Sequence, residues 1–115
     1  MRFKLIVTLV RPELTKDVVK AAKDAGATGD VIISGRGTGV SESSFFGITL
    51  EDRTDVILFI VEEHSVNKIL DTLCEECKLT DPGRGVAIVL SIDKVTGLDR
   101  QIDKIKDKLK EERLT

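Results

Sequence analysis

Residues 34–53 read SGRGTGVSESSFFGITLEDR and separate two stretches that favour β-strands, residues 31–33 and 56–61. The separation is far longer than the about two to five residues that a tight β-hairpin needs. Ordering such a long segment costs conformational entropy that a purely structural turn avoids. Long loops on compact domains are usually functional, so this loop is predicted to contact another molecule.

The sequence before this loop predicts a strand, a helix and a second strand. Residues 3–10 (FKLIVTLV) are rich in β-formers and nearly continuous in apolar character, as in a strand that is covered on at least one face. The apolar side chains then recur at helical spacing until Gly26, a typical C-cap residue. A helix is therefore predicted over residues 13–25 and a short strand over 31–34.

The sequence after the loop predicts a strand, a helix, a strand and a last helix. Residues 54–61 (TDVILFIV) are the most continuously apolar stretch and are assigned to the centre of the sheet. A second helix follows with Ser65 as its N-cap, and the fourth strand covers residues 86–92. The predicted buried stripe of the second helix consists of Val66, Ile69, Leu70, Leu73, Cys74 and Cys77. Residues 98–113 predict an amphipathic helix with a narrow apolar stripe, formed by Leu98, Ile102, Ile105 and Leu109.

The order β-α-β-β-α-β, followed by one more helix, predicts the fold class. It is the pattern of an α+β, ferredoxin-like sandwich, in which an antiparallel sheet carries two helices on one face. At 115 residues the chain is expected to form a single domain, 1–115, with its core in residues 1–95. The strands are apolar on nearly every residue, so we expect an oligomer to bury the second face of the sheet.

Composition and charge exclude several classes of function. Apolar residues make up 41% of the chain and charged residues 33%, which is typical of a soluble globular protein. The net charge of -2 provides no attraction to nucleic acid or to an anionic membrane surface. No apolar stretch approaches the about 18 to 20 residues that span a bilayer, and the first residues do not resemble a signal peptide. A cytoplasmic location is therefore expected.

The chain contains two cysteines, Cys74 and Cys77, in a C-x-x-C spacing. This spacing suits zinc or redox chemistry, but a four-ligand zinc site needs a second ligand pair, and the only histidine is His64. Both cysteines also fall on the predicted apolar stripe of the second helix. They are predicted to be reduced core thiols, and no metal site is predicted.

Two glycine-rich turns carry the candidate chemistry. Residues 35–39 (GRGTG) can direct backbone N–H groups at an anion, and Arg36 offers a planar fork for phosphate or carboxylate. Residues 82–85 (PGRG) could do the same just before the fourth strand. Neither is a Walker A loop or a Rossmann fingerprint, and each by itself is more typical of a turn than of a ligand site. In this topology, however, the two turns can meet across a subunit boundary.

The chain resembles the nitrogen regulatory protein PII superfamily, and in particular its divergent PII-like members. The resemblance covers about residues 4–95; it is carried by KLIVTLVRP in the first strand, AGATGDV after the first helix, the G-x-G at residues 35–37 and TDPGRGVAIV before the last strand. It implies a homotrimer of ferredoxin-like subunits that binds adenine nucleotides in the clefts between subunits. It also implies a T-loop, residues 38–53, that controls a target protein such as a membrane transporter or a metabolic enzyme.

The resemblance also assigns candidate residues to a nucleotide site and to a partner-binding loop. Thr28 falls near the adenine side, and Gly35 and Gly37 match the loop base next to the nucleotide. Gly83 and Gly85 match the B-loop glycines that face the phosphates. The full nucleotide set is Thr28, Gly35, Arg36, Gly37, Thr38, Gly83, Arg84, Gly85 and Val86. The candidate partner contacts in the loop are Ser41, Ser43, Ser44, Phe45 and Phe46, because adjacent aromatic residues suit a surface that becomes buried on binding.

Departures from the family pattern shift the expected ligand. Val86 stands where nitrogen-regulating members have the B-loop lysine, and Ile57 stands where they have the lysine of the third strand. Thr38 follows the G-x-G in place of the glutamine that helps to bind 2-oxoglutarate through magnesium. With less positive charge facing a triphosphate, AMP, ADP or a cyclic dinucleotide is favoured. ATP stays open, and no bound metal is required.

Two other classes of function are weighed against this one. A metal-responsive or structural trimer of the divalent-cation-tolerance type shares the ferredoxin-like subunit. However, Glu62, Glu63 and His64 form a poor ligand set and suit the start of a helix. An enzyme needs a base or a nucleophile in a pocket, and no histidine or cysteine arrangement in the sequence supplies one. The prediction is therefore a non-enzymatic regulator, with weak nucleotide hydrolysis left open.

Overall fold

The computed structural model describes residues 1–37, 44–45, 48–49 and 52–114. Its strands and α-helices, in chain order, are β1 (Phe3–Val10), α1 (Thr15–Asp24), β2 (Val31–Gly37), β3 (Ser44–Phe45), β4 (Ile48–Thr49), β5 (Asp52–Glu62), α2 (Val66–Glu76), β6 (Gly85–Ser91) and α3 (Asp99–Leu114). Short 3-10 helices, Pro12–Leu14 and Glu63–Ser65, precede α1 and α2. Among the described residues, none of the helices is long and apolar enough to cross a membrane.

The four long strands form one antiparallel sheet in the order β2-β5-β1-β6. Ile6 in β1 lies opposite Phe59 of β5 and Val89 of β6. On the other side of β5, Val56 lies opposite Ile33 of β2. The most apolar stretch, β5, is therefore a central strand, as predicted. The short strands β3 and β4 pair with each other in a separate two-stranded ribbon.

One face of the sheet carries α1 and α2 and contains the core. Side chains alternate between the two faces of a strand, so every second residue of β1 and β5 points towards the helices. Helix residues spaced three or four apart meet them. The residues with 0% exposure include Ile6, Val10, Ile57 and Phe59 from the sheet and Val18, Ala22, Ile69 and Leu73 from the helices. The predicted α+β, ferredoxin-like fold class is confirmed.

The helix α1 is shorter than predicted at its start, but it ends where the glycine indicates. Pro12–Leu14 adopt a 3-10 turn, a common geometry at helix N-termini. At the other end, Gly26 has a φ of 126°, a conformation that favours glycine. The Gly26 N–H donates to the Lys23 carbonyl at 3.1 Å and the Ala27 N–H donates to the Ala22 carbonyl at 2.9 Å. This pair of bonds is a Schellman motif, which satisfies the last carbonyls of the helix.

Ser65 is the N-cap residue of α2, as predicted, but without the expected side-chain bond, and the prediction that Cys74 is buried is wrong. The Ser65 side chain makes no capping hydrogen bond; instead, the Glu62 carboxylate accepts from the backbone N–H of His64 at 2.9 Å and caps the preceding 3-10 helix. Cys77 is buried as predicted, but Cys74 is exposed. The buried positions of α2 recur at four-residue spacing, whereas Cys74 follows a buried position directly and lies about 100° further around the helix.

The second face of the sheet presents a broad apolar surface, which we call the open face. Its exposed members are Val31, Ile33, Val86, Ile88 and Leu90, with exposed fractions between 43% and 57%. Its half-buried members are Leu5, Val7, Leu9, Val56, Leu58 and Ile60. Monomeric proteins rarely expose an apolar surface of this breadth, so the open face has the character of an interface.

Candidate functional site

An apolar cavity of about 270 Å³ lies on the open face at the start of β2. Its lining consists of Leu5, Thr28, Gly29, Asp30, Val31, Leu58, Ile60 and Leu98. The central strands β1 and β5 supply the aliphatic floor, and the segment between α1 and β2 supplies the polar side. Cavities with mostly apolar walls and a few fixed polar groups suit a flat organic ring such as a nucleobase. We call this the first cavity.

Thr28 contributes an unsatisfied polar group to the first cavity. Its Oγ1 is buried and has no hydrogen-bond partner among the described residues. Leaving a buried hydroxyl without a partner costs about 1–3 kcal/mol, so such groups are uncommon. An ion pair at 3.2 Å between Lys23 Nζ and Asp30 Oδ1 holds the segment that carries Thr28.

A second cavity, of about 470 Å³, lies at the other end of β2, where the predicted loop begins. It is lined by Pro12, Ser34, Gly35, Arg36, Arg53 and Asp55. Arg36 and Arg53 occupy directly opposite positions on β2 and β5, so two guanidinium groups stand at the base of the loop. Asp55 lies in the same cavity, which therefore carries charges of both signs.

Asp55 connects the base of the loop to the start of α1. Thr15 Oγ1 donates to Asp55 Oδ2 at 2.5 Å, and Ser34 Oγ donates to Asp55 Oδ1 at 3.4 Å. A buried carboxylate needs donors of this kind because its desolvation is costly. Sequence reasoning missed both Asp55 and Arg53. The available signal was that Asp55 is the only charged residue in the apolar stretch 54–61.

The two cavities lie on opposite faces of the sheet. Val31 lines the first cavity and Arg36 lines the second; five positions apart on one strand, their side chains point to opposite faces. Two predicted site residues, Thr28 and Arg36, therefore do not share a cavity. Gly35 is in phase with Val31 and lies about 13 Å from it along the strand. However, Gly35 has no side chain and its backbone lines the second cavity, so the structure does not bring Thr28 and Gly35 to one cavity.

The second glycine turn lies at the same end of the sheet but on the opposite edge. Gly85 pairs with Val10 at the start of β6, and the strands β5 and β1 separate it from β2. At about 4.8 Å per strand, the two glycine turns are about 14 Å apart within the subunit. The fold of one chain therefore does not bring them together.

The residues of the second turn have structural roles of their own. Arg84 Nε donates to the Cys77 carbonyl at 2.9 Å and ties the turn to the C-terminal end of α2, where the carbonyls attract a cation. A Cβ on Gly85 would lie 2.6 Å from Leu9 O and 2.7 Å from Val10 Cγ1, so packing alone requires glycine there. Val86 is 45% exposed on the open face.

The predicted partner-binding loop is described only in part. Thr38, Ser41, Ser43 and Phe46 lie outside the described residues, while Ser44 and Phe45 form β3. The flanking strands are longer than predicted: β2 extends to Gly37 and β5 begins at Asp52. The binding role of these loop residues stays a prediction.

The ionisable side chains near α2 have structural explanations. Glu62, Glu63 and His64 are the one group of three potential metal ligands among the described residues, with ligand atoms within 4.8 Å of one another. The hydrogen bond that His64 Nδ1–H donates to Glu62 Oε1 at 2.5 Å raises the pKa of His64 above its ordinary 6.5, and the charge of Glu62 adds to the effect. Because Glu62 also caps the 3-10 helix, the cluster needs no metal to explain it. Burial raises the pKa of the Cys77 thiol, which disfavours the reactive thiolate.

Comparisons with known proteins agree with this architecture. The family model described as Nitrogen regulatory protein P-II matches residues 3–111 of the chain. Among solved structures, the crystal structure of Arabidopsis thaliana PII bound to citrate is similar to this chain with a TM-score of 0.66. The match has 21% sequence identity and covers 84% of this chain and 83% of that chain. At this level of identity, the structural match establishes the shared fold.

Proposed function

The chain belongs to the nitrogen regulatory protein P-II family, and from this premise we propose that it is a signalling protein that binds an adenine nucleotide. Proteins of this family are regulators rather than enzymes. The proposed assembly is a homotrimer with one nucleotide cleft at each subunit boundary. The proposed output is a change in the 38–53 loop that controls a target protein, such as a membrane transporter or a metabolic enzyme.

The unpartnered hydroxyl of Thr28 is the observation that carries this proposal. The hydroxyl itself is buried, but Thr28 as a residue lines an apolar cavity whose floor is formed by Leu58 and Ile60, and we infer that a ligand in the cavity reaches it. A nucleobase would pack a flat apolar face against the aliphatic floor and offer a hydrogen-bonding edge to the hydroxyl. One ligand of this class would therefore account for both features of the cavity.

The glycine turns supply the proposed phosphate contacts. β2 forms an edge of the sheet, so part of its backbone N–H groups near Gly35 and Gly37 point away from β5. Gly83 and Arg84 of a neighbouring subunit would approach the same place. Arg36 lines the second cavity, on the opposite side of the strand from the first, so a mono- or diphosphate is favoured over a triphosphate.

Two observations support the proposed trimer. The open face is apolar from Val31 at one edge of the sheet to Ile88 at the other and requires a cover. In addition, the two glycine turns lie about 14 Å apart in one chain. A cleft between subunits would bring them to one ligand.

Isothermal titration of the purified protein with AMP, ADP, ATP and cyclic di-AMP tests the nucleotide proposal. We expect AMP or ADP to bind best, and Thr28→Val to weaken that binding about threefold to tenfold, as the loss of one hydrogen bond predicts. Thr72→Val is the matched control, because the Thr72 hydroxyl donates to the Lys68 carbonyl at 2.7 Å on α2, remote from the first cavity.

A thermal-shift screen with divalent cations and 2-oxoglutarate separates the alternatives. If no nucleotide raises the melting temperature of the wild-type protein and a divalent cation does, the nucleotide proposal fails. The metal-responsive trimer, with Glu62, Glu63 and His64 as its ligands, would then take its place.

A further inference from the structure

The residue that leads into the C-terminal helix is part of the wall of the first cavity. Leu98, the residue before α3, lines the cavity together with Leu5, Leu58 and Ile60. Resting on the proposed function, we propose that Leu98 contacts the bound base and that α3 acts as a clamp whose docking is coupled to nucleotide occupancy. Occupancy would then be transmitted to α3 as well as to the 38–53 loop.

The segment that carries Thr28 lies between the first cavity and α3. Thr28 also lines a hollow on its other side, which is formed with Lys23 and Ala27 and with Lys104, Asp107 and Glu111 of α3. A ligand that contacts Thr28 in the first cavity would therefore restrict a segment whose other side faces α3. The ligand would lie next to this segment, and the segment lies next to α3. The coupling therefore needs no chain of intermediate residues.

The docking of α3 depends on few apolar contacts. Ile105 is buried at 6% exposure, and Ile102 and Leu109 are half-buried. Ile105 and Leu109 face a notch formed by the end of α1 and the start of α2, at Ala25, Gly26 and Ser65. The rest of the helix is dominated by Lys, Asp and Glu. Ordering a helix costs conformational entropy that so narrow a stripe only partly offsets. One additional contact from a ligand can therefore shift the docking equilibrium.

The connection before α3 contains a pivot. Gly97 has a φ of 93°, and a Cβ built there would meet no atom within 4 Å. The backbone conformation therefore favours glycine at this position, whereas the surrounding space would admit a side chain. A rotation at Gly97 would move Leu98 and α3 together, away from the cavity or onto it.

Titration and hydrogen exchange of the full-length protein test the clamp. With AMP and ADP as probes, we expect Leu98→Ala to weaken binding about tenfold, because it removes an apolar wall of the cavity. Ile105→Ala removes a buried contact of α3 and leaves the cavity wall unchanged. It is expected to weaken binding by a similar factor. Lys106→Ala is the control on the exposed side of the same helix and is expected to bind as wild type. In wild type, the nucleotide should slow amide exchange throughout residues 99–111.

The outcomes distinguish the clamp from the nucleotide site itself. Wild-type affinity in Leu98→Ala and Ile105→Ala, with weakened binding in Thr28→Val, would overturn the clamp and leave the nucleotide site intact. Unchanged exchange in α3 at saturating ADP would also overturn it. Absence of AMP and ADP binding to the wild-type protein would overturn the proposed function and the clamp together. Circular dichroism of each variant verifies that it is folded.

Discussion

Gly85 is a residue whose size determines how closely two strands pair. It begins β6 directly opposite Val10, and the backbone of β1 leaves no room for a side chain. Leu79 Cδ2 would lie 3.3 Å from an added Cβ, so the core side is closed as well. A glycine next to a predicted phosphate site can therefore be required for packing alone.

We expect Gly85→Ala to lower the free energy of unfolding by about 1–3 kcal/mol, the usual cost of overpacking a close contact. Urea denaturation measures this loss. Gly29→Ala is the matched control, because a Cβ there would meet nothing within 4 Å. Equal stability of the two variants would contradict the packing explanation. A loss of nucleotide binding in Gly85→Ala is consequently not evidence that Gly85 contacts the ligand.

The start of α2 shows how one carboxylate organises an element. Glu62 is buried at 5% exposure, and it accepts from both the backbone N–H and the ring nitrogen of His64. It thereby satisfies an orphan donor of the 3-10 helix and pairs with the single histidine. The Ser65 hydroxyl, which the sequence pattern favoured as the cap of α2, makes no capping hydrogen bond.

The Glu62–His64 pair predicts a pH-dependent contribution to stability. The folded state raises the pKa of His64 above 6.5, so the protonated ring is favoured by folding. This stabilisation is fully present below about pH 6.5 and is lost as the pH rises through the folded-state pKa. The difference in melting temperature between wild type and His64→Gln should therefore be largest near pH 6 and vanish by about pH 9. An NMR titration of the histidine ring gives the folded-state pKa directly, and a value at or below 6.5 would contradict the prediction.

At the scale of the whole molecule, the open face is the feature that favours self-association. The helices cover one side of the sheet, while Val31, Ile33, Ile88 and Leu90 remain exposed on the other side. A surface of this kind drives association until it is covered. The same association would create the boundary at which the proposed nucleotide clefts lie.

We expect Ile88→Lys to weaken self-association by at least about a hundredfold, because an unpaired ammonium group buried in an interface costs several kcal/mol. Light scattering coupled to size-exclusion chromatography measures the mass of the assembly. Val95→Lys is the control, since Val95 is 38% exposed but lies outside the sheet. A variant at Ile88 that keeps the wild-type mass would place the interface elsewhere.

The order of strands and helices could be predicted from the sequence, but not every element boundary or every hydrogen-bond partner. The stretch 54–61 was assigned to the sheet centre from its continuous apolar character, and β5 is a central strand. Ser65 takes the predicted N-cap position but makes no side-chain bond, since Glu62 caps the preceding 3-10 turn. The predicted burial of Cys74 is wrong, because it lies about 100° around the helix from the buried Leu73. The resemblance names Thr28 as a candidate, and its role stays a prediction, whereas the cavity residues Asp55, Arg53 and Leu98 were not predicted.

The sequence by itself determined the order of strands and helices and the apolar character of both sheet faces, because these follow from spacings of two to four residues along the chain. Only the tertiary structure decided which distant residues meet. It placed Arg53 opposite Arg36, tied Asp55 to Thr15, and brought Leu98 to the first cavity beside Leu58. Strand register and helix docking set these contacts, and both depend on the packing of the whole core and not on any local pattern.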